Sequence, residues 1–369
     1  MAASESSSRT QALHAVGQSL WLDNITRGML TSGTLKRYIK DLTVTGLTSN
    51  PTIFDHAIGK TNFYDQAITS RGNSAASVPE SIFFDLAIED LQNAADLFRP
   101  VYDATNGQDG FVSLEVSPLL AYDTAKTLAA AKELFARAKR QNLFIKIPGT
   151  PEGLPAIEEA IFQGIPVNVT LLFSEGQYIA AANAYMRGVQ RRVAAGLPGR
   201  VASVASVFIS RWDKAIANKV PADLCNTLGV AIAARVYKAY RDLLAGDTWK
   251  KLAGAGAMPQ RLLWASTGTK DPAAPDTFYI TALAAPDTIN TMPEETLLAF
   301  ADHGKITGIM RPETAQADAV IKRFAGAGVD VLQLAAQLQK EGAESFVKSW
   351  NELLAAITRK SQSLTAASA

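Results

Sequence analysis

The sequence predicts a single (β/α)8 barrel with additional helices. Apolar runs of strand length alternate with segments of helical period over roughly 330 residues. Those runs are continuously apolar rather than alternating against water, as parallel strands covered by helices are. No Gly-x-Gly-x-x-Gly follows an early strand, which removes the main signal for a doubly wound sheet.

Leu20–Asn24 is the first expected strand and Val44–Ser49 the second. Helical material from Asn62 to Val101 reads as decoration on the barrel rather than a second domain. Within it, Ser77-Val-Pro-Glu80 has capping-box spacing, and Phe84, Ile88, Leu91, Ala95 and Phe98 share one face. Strand Phe111–Val116 follows. A helix then turns Leu128, Ala131, Leu134, Phe135 and Ala138 inward and Lys132, Glu133 and Arg137 outward. After strand Leu143–Ile147, Thr150-Pro151 opens a helix that Gly164 closes. After strand Val167–Phe173, Ser174-Glu-Gly-Gln177 is a second capping box, leading into Tyr178–Arg192. Strand Val201–Phe208, further helical decoration over Pro221–Leu252, and strands Arg261–Ser266 and Phe278–Leu283 complete the expected order. Residues 1–10 and 360–369 are rich in Ser and Ala and read as unstructured tails, which leaves 11–359 as one barrel domain.

Composition narrows the function. A net charge of +1, with basic residues no denser than the pairs Arg191-Arg192 and Lys250-Lys251, lacks the footprint nucleic acid requires. No apolar run reaches the roughly 18 to 20 residues that span a bilayer. The opening MAASESSSRT lacks a basic segment followed by an apolar core, so no secretory signal is expected. One cysteine, Cys225, forms no intrachain disulfide and fits a reducing compartment. His14, His56 and His303 are scattered, without the spacing of a zinc site. These features predict a cytoplasmic, metal-free protein with no nucleic-acid or membrane partner.

Residues two apart in a strand share a face. That rule pairs Thr48 with Asn50, Ser113 with Glu115, Asn168 with Thr170, and Ser206 with Phe208, all near carboxyl ends of expected strands, where barrel enzymes build their sites. Lys146 stands out within Leu143-Phe-Ile-Lys-Ile147, because burying an unpaired ammonium is costly. Desolvation favours a neutral, nucleophilic amine, the form that attacks a carbonyl. The bland alternative is a lysine at a strand end reaching out to water. Glu115 and Asp23, each ending an apolar run, are carboxylates placed either to move protons or to serve as ion-pair partners.

Several segments in order resemble the transaldolase family, and its longer bacterial branch in particular. They are Leu20-Trp-Leu-Asp-Asn-Ile25, Gly46-Leu-Thr-Ser-Asn-Pro-Thr-Ile-Phe54, Ser113-Leu-Glu-Val116, Leu143-Phe-Ile-Lys-Ile-Pro-Gly-Thr150 and Pro166-Val-Asn-Val-Thr-Leu-Leu-Phe173. Ser206-Val-Phe-Ile-Ser-Arg211, Trp264-Ala-Ser-Thr-Gly-Thr-Lys270 and Pro286-Asp-Thr-Ile-Asn-Thr-Met-Pro293 extend the match over nearly the whole chain. The resemblance implies transfer of a dihydroxyacetone unit through a Schiff base on a lysine, in the non-oxidative pentose phosphate pathway. The donor would be sedoheptulose 7-phosphate or fructose 6-phosphate, the acceptor glyceraldehyde 3-phosphate or erythrose 4-phosphate. It also implies roles. Lys146 would carry the covalent intermediate, Asp23 would take the C4 hydroxyl proton, and Glu115 with Thr170 would hold a proton-shuttling water. Asn50, Asn168 and Ser206 would contact the dihydroxyacetone fragment, Phe208 would wall the cavity, and Arg211 would bind phosphate. One departure stands out: Gly268 occupies the place where many shorter members carry a second phosphate-binding arginine, so Ser266 and Lys270 are expected to take over. The rival readings are an aldolase of the same superfamily that releases free dihydroxyacetone, and a non-catalytic barrel scaffold. A metal-dependent aldolase is disfavoured by the scattered histidines.

Overall fold

The computed structural model describes residues 2–72 and 78–368. Eight strands form one parallel sheet: β1 (Gln18–Leu22), β2 (Val44–Leu47), β3 (Val112–Glu115), β4 (Leu143–Pro148), β5 (Val167–Leu172), β6 (Ser203–Phe208), β7 (Gln260–Ala265) and β8 (Thr288–Met292). Their order, β2-β1-β8-β7-β6-β5-β4-β3, is that of the expected (β/α)8 barrel. The two ends of the sheet meet where Leu47 N–H donates to Phe111 O and Gly110 N–H to Thr45 O, both at 3.0 Å. Gly46 sits at this seam because a Cβ there would lie 2.8 Å from Phe111 O and 2.5 Å from the Trp21 ring.

Seven of the expected strands overlap observed ones; Phe278–Leu283 does not. Residues Phe278–Ala282 form a short helix that buries Tyr279 and Ile280. Periodicity cannot separate so short an apolar run from one turn of buried helix. The eighth strand is Thr288–Met292 instead, whose Thr288 and Asn290 are fully buried. In the barrel interior Gln18 Nε2 donates to Thr288 Oγ1 at 2.9 Å, so polar character here marks the inside rather than a solvated face.

The helices carry further corrections. The Ser174 capping box forms as expected, with Gln177 N–H donating to Ser174 Oγ and Ser174 N–H to Gln177 Oε1, each at 3.2 Å. Ser77 of the other expected box lies outside the described residues; helix Pro79–Ala104 begins after Val78 with no side-chain cap. That helix packs on β2 and β3 and is the crossover between them, rather than decoration. Helix Leu228–Ala245, in the second segment read as decoration, packs against helix Glu175–Ala194 of the outer ring. Thr150-Pro151 precedes rather than opens its helix, which spans Gly153–Phe162, and Thr150 Oγ1 accepts from Gly153 N–H at 3.0 Å. Helices Ala2–Ala15 and Val331–Ser368 run through both ends that the sequence reads as unstructured. Among the described residues, no helix is long and apolar enough to cross a membrane.

The C-terminal helix, Val331–Ser368, positions the site. It packs on helices Pro51–Gly59, Asp65–Gly72 and Pro79–Ala104 and reaches the carboxyl end of β5. There β5 carries an irregularity between Val169 and Leu172, with Leu171 at φ 59°. Gln339 Nε2 of the C-terminal helix donates to Leu171 O at 2.9 Å and to Gly149 O at 3.0 Å, tying it to two strand ends.

Candidate active site

Strand register alone brings the central side chains together. Glu115 on β3 stands opposite Lys146 on β4, and Lys146 opposite Asn168 on β5. Lys146 is 4% exposed, and its Nζ donates to Glu115 Oε2 at 3.1 Å and to Ser49 O at 3.2 Å. The lysine is thus held inside the barrel rather than reaching water. Glu115 Oε1 and Thr170 Oγ1 are both buried and have no hydrogen-bond partner among the described residues.

A cavity of about 130 Å³ opens beside the amine at the carboxyl ends of the strands. Asp23, Asn50, Lys146, Thr170, Ser206, Phe208, Arg211, Ser266 and Lys270 line it. Glu115 is behind the wall, hydrogen-bonded to Lys146. Asn168 likewise is not among the residues that line the cavity. Its Nδ2 donates to Ser113 Oγ at 3.1 Å and its Oδ1 accepts from Ser206 Oγ at 2.7 Å, so it stands behind Ser206 rather than on the cavity wall. Asn50 caps helix Pro51–Gly59, its Oδ1 accepting from Ile53 N–H at 3.1 Å. With the oxygen so engaged, the side-chain donor is its amide nitrogen.

Asp23 lies just past β1, its N–H donating to Met292 O at 2.8 Å and its Oδ1 accepting from Thr48 Oγ1 at 2.6 Å. Burial pushes its carboxyl above the usual range, against the opposing pull of Lys146, the Thr48 hydrogen bond, Lys270 and Arg211. Burial likewise raises Glu115, opposed chiefly by Lys146. Two carboxyls of raised proton affinity therefore flank one amine, an arrangement suited to moving protons.

Arg211 follows β6 and lies between two rings, its guanidinium carbon 5.1 Å from the Phe208 centroid and 5.7 Å from that of Phe346. It has no ion-pair or hydrogen-bond partner among the described residues, and burial lowers its proton affinity. An enclosed guanidinium of this kind favours an anion. Ser266, at φ 55°, follows β7, and its Oγ meets Ser210 Oγ at 2.9 Å. Lys270 is exposed at the rim and makes no ion pair with Asp271, which instead accepts from Asn226 Nδ2 at 2.7 Å. A Cβ at Gly268 would lie 3.5 Å from Lys270 Nζ and 3.1 Å from Pro293 Cγ, so the glycine leaves the lysine its place.

The residue reading missed Phe346, Thr291 and Pro293, which also line the cavity, and left Thr48 out of the site proper. Phe346 is 4% exposed, with its ring centroid 5.7 Å from Lys146 Nζ. Nothing in its local sequence marks it, because the C-terminal helix brings it in from two hundred residues beyond Lys146. Among the described residues, no three or more His, Cys, Asp and Glu side chains converge as a metal site needs.

Comparison with known proteins agrees with the geometry. The family described as Transaldolase/Fructose-6-phosphate aldolase matches residues 20–357. A transaldolase of Renibacterium salmoninarum is 44% identical over 354 residues, covering 94% of both chains. Transaldolases of Acidothermus cellulolyticus and Thermobifida fusca are each 45% identical, over 355 and 353 residues. They cover 94% and 93% of this chain, and 95% and 96% of their own.

Proposed function

This chain belongs to the transaldolase/fructose-6-phosphate aldolase family of enzymes, on its transaldolase side, and from that premise we propose how its residues move a dihydroxyacetone unit between sugar phosphates. The carrying observation is the enclosed Lys146 amine, hydrogen-bonded to Glu115 and opening onto a cavity that Asp23 also lines.

Lys146 adds to the C2 carbonyl of a ketose phosphate once Glu115 has taken its proton. Loss of water from the carbinolamine leaves an iminium. The unpartnered Glu115 Oε1 and Thr170 Oγ1 suit a bridging water that carries protons through this step. Asp23 takes the C4 hydroxyl proton as the C3–C4 bond breaks, and the bonding pair moves into the iminium to give an enamine. The departing aldose phosphate is replaced by an acceptor, the enamine attacks its aldehyde carbon, and hydrolysis returns the amine. The iminium supplies the electron sink, so the reaction needs neither metal nor organic cofactor. Asn50 and Ser206 bind the dihydroxyacetone hydroxyls, with Asn168 holding Ser206. Arg211, Ser266 and Lys270 hold the phosphate. The setting proposed is the cytoplasm.

Borohydride reduction with fructose 6-phosphate tests this reading. It should inactivate the enzyme and label the peptide containing Lys146, and Lys146→Met should abolish both label and turnover. Labelling of another lysine would sink the assignment. Product appearing only when an aldose phosphate is supplied separates transfer from release of free dihydroxyacetone.

A further inference from the structure

Strand β8 lends the site a hydroxyl that the mechanism above does not use. We propose that Thr291 is a positioning residue for proton transfer at Asp23, aiming the Thr48 hydroxyl at one carboxylate oxygen so that the other is left to the substrate. The proposal rests on the reading that Asp23 takes the C4 proton.

Three oxygens form a chain. Thr48 Oγ1 donates to Asp23 Oδ1 at 2.6 Å, and Thr48 Oγ1 and Thr291 Oγ1 are 2.7 Å apart. A hydroxyl has one proton, and a contact as short as 2.6 Å to a carboxylate is where that proton belongs. Thr291 is therefore the donor to Thr48, and the chain runs Thr291 to Thr48 to Asp23. Its members are fixed from behind. Thr267 Oγ1 lies 2.8 Å from Asn290 Oδ1 and 3.0 Å from Thr291 O, its one proton shared between these two acceptors, while Thr48 N–H donates to Leu22 O at 2.9 Å. Together with the Asp23 N–H to Met292 O bond, these lock the ends of β1, β2 and β8 in one register.

Oδ2 of Asp23 has no hydrogen-bond partner among the described residues, which leaves it to accept the substrate proton. The charged groups acting on Asp23 are Lys146 from β4, Lys270 from beyond β7, Arg211 from beyond β6, and Glu115 from β3. None of them orients the carboxylate by a hydrogen bond; Thr48 does. Each hydroxyl in such a chain polarises the next. Without Thr291 the Thr48 O–H is free to swing, the Asp23 anion loses part of its stabilisation, and its proton affinity rises.

The test is single-turnover cleavage of fructose 6-phosphate as a function of pH. Thr291→Val should slow cleavage up to about tenfold, the worth of one net hydrogen bond, and move the acid limb to higher pH. Thr291→Ser should restore both. In a Thr48→Val background, Thr291→Val should add nothing, because the chain is already cut. Thr291→Ala carries the same test if the valine variant does not fold. An unmoved acid limb, additive losses, or a rise in KM alone would overturn the proposal, the last by making Thr291 a substrate contact. Asp23→Asn keeps the two failures apart. If it accumulates the borohydride-trapped ketose while Thr291→Val behaves as the parent does, only this inference falls. If it cleaves normally, the underlying reading falls and takes the inference with it.

Discussion

Asp23 and Glu115 sit where water solvates them poorly, and the folded state bears the cost. A carboxyl whose proton affinity is higher folded than unfolded binds more protons in the native state. Its contribution to stability is therefore greatest below the unfolded pKa and is lost as pH rises through the window between that value and the raised one. Asp23→Asn keeps an acceptor for Thr48 and removes the charge. It should raise the Tm at pH 8, with the gain shrinking toward about pH 4, near the ordinary aspartate value. Calorimetry across that range checks it, and a lowered Tm at pH 8 would contradict the account. Glu115 is a different case, because its substitution breaks a buried pair and strands the Lys146 charge. At the phosphate end, removing one charge-assisted contact should cost roughly 1.5 to 3 kcal/mol, about tenfold or more in kcat/KM. Arg211→Ala and Lys270→Ala should each narrow the preference for fructose 6-phosphate over fructose. The enclosed arginine should do so more than the exposed lysine, where solvent screens the charge. A fructose 6-phosphate to fructose ratio unmoved by Lys270→Ala removes Lys270 from the phosphate site.

The strands differed in how legible they were, and the difference has a physical source. Leu143-Phe-Ile-Lys-Ile147 could be read because outward packing demands apolar residues on a covered strand, against which one inward lysine stands out. Thr288–Met292 could not, because its interior positions are the polar Thr288 and Asn290, which accept hydrogen bonds from the Gln18 and Thr267 side chains. Sequence reading scores such a segment as loop. The C-terminal helix shows a second kind of limit: its length and period are local, but the cavity its Phe346 faces is a product of tertiary packing alone. Gly342 on that helix is a residue whose reason only the fold supplies. A glycine inside a helix costs about 0.5 to 1 kcal/mol relative to alanine, yet a Cβ there would lie 3.0 Å from an Arg211 guanidinium nitrogen and 2.9 Å from Leu171 Cδ2. Gly342→Ala should therefore favour the helix while displacing Arg211. Its signature is a raised KM for fructose 6-phosphate with kcat for fructose retained; an unchanged KM would leave the glycine unexplained.

For the molecule as a whole, the proposed electrophile is the protein's own lysine after condensation, which would fix what the enzyme can do without. Prolonged EDTA treatment should leave the transfer rate unchanged, and a loss restored by a divalent ion would place the enzyme in another mechanistic class. The reach of the C-terminal helix over the site has a consequence for how activity arises during synthesis. The last strand of the barrel ends at Met292, so the sheet can close around Lys146 while the ribosome has yet to make Phe346, Gly342 and Gln339. Until those residues emerge and dock, the amine lacks its aromatic roof, and Arg211 lacks one of its two rings. On the proposed reading, a nascent chain whose sheet has closed before the final helix docks has its reacting groups in register and its chamber still open.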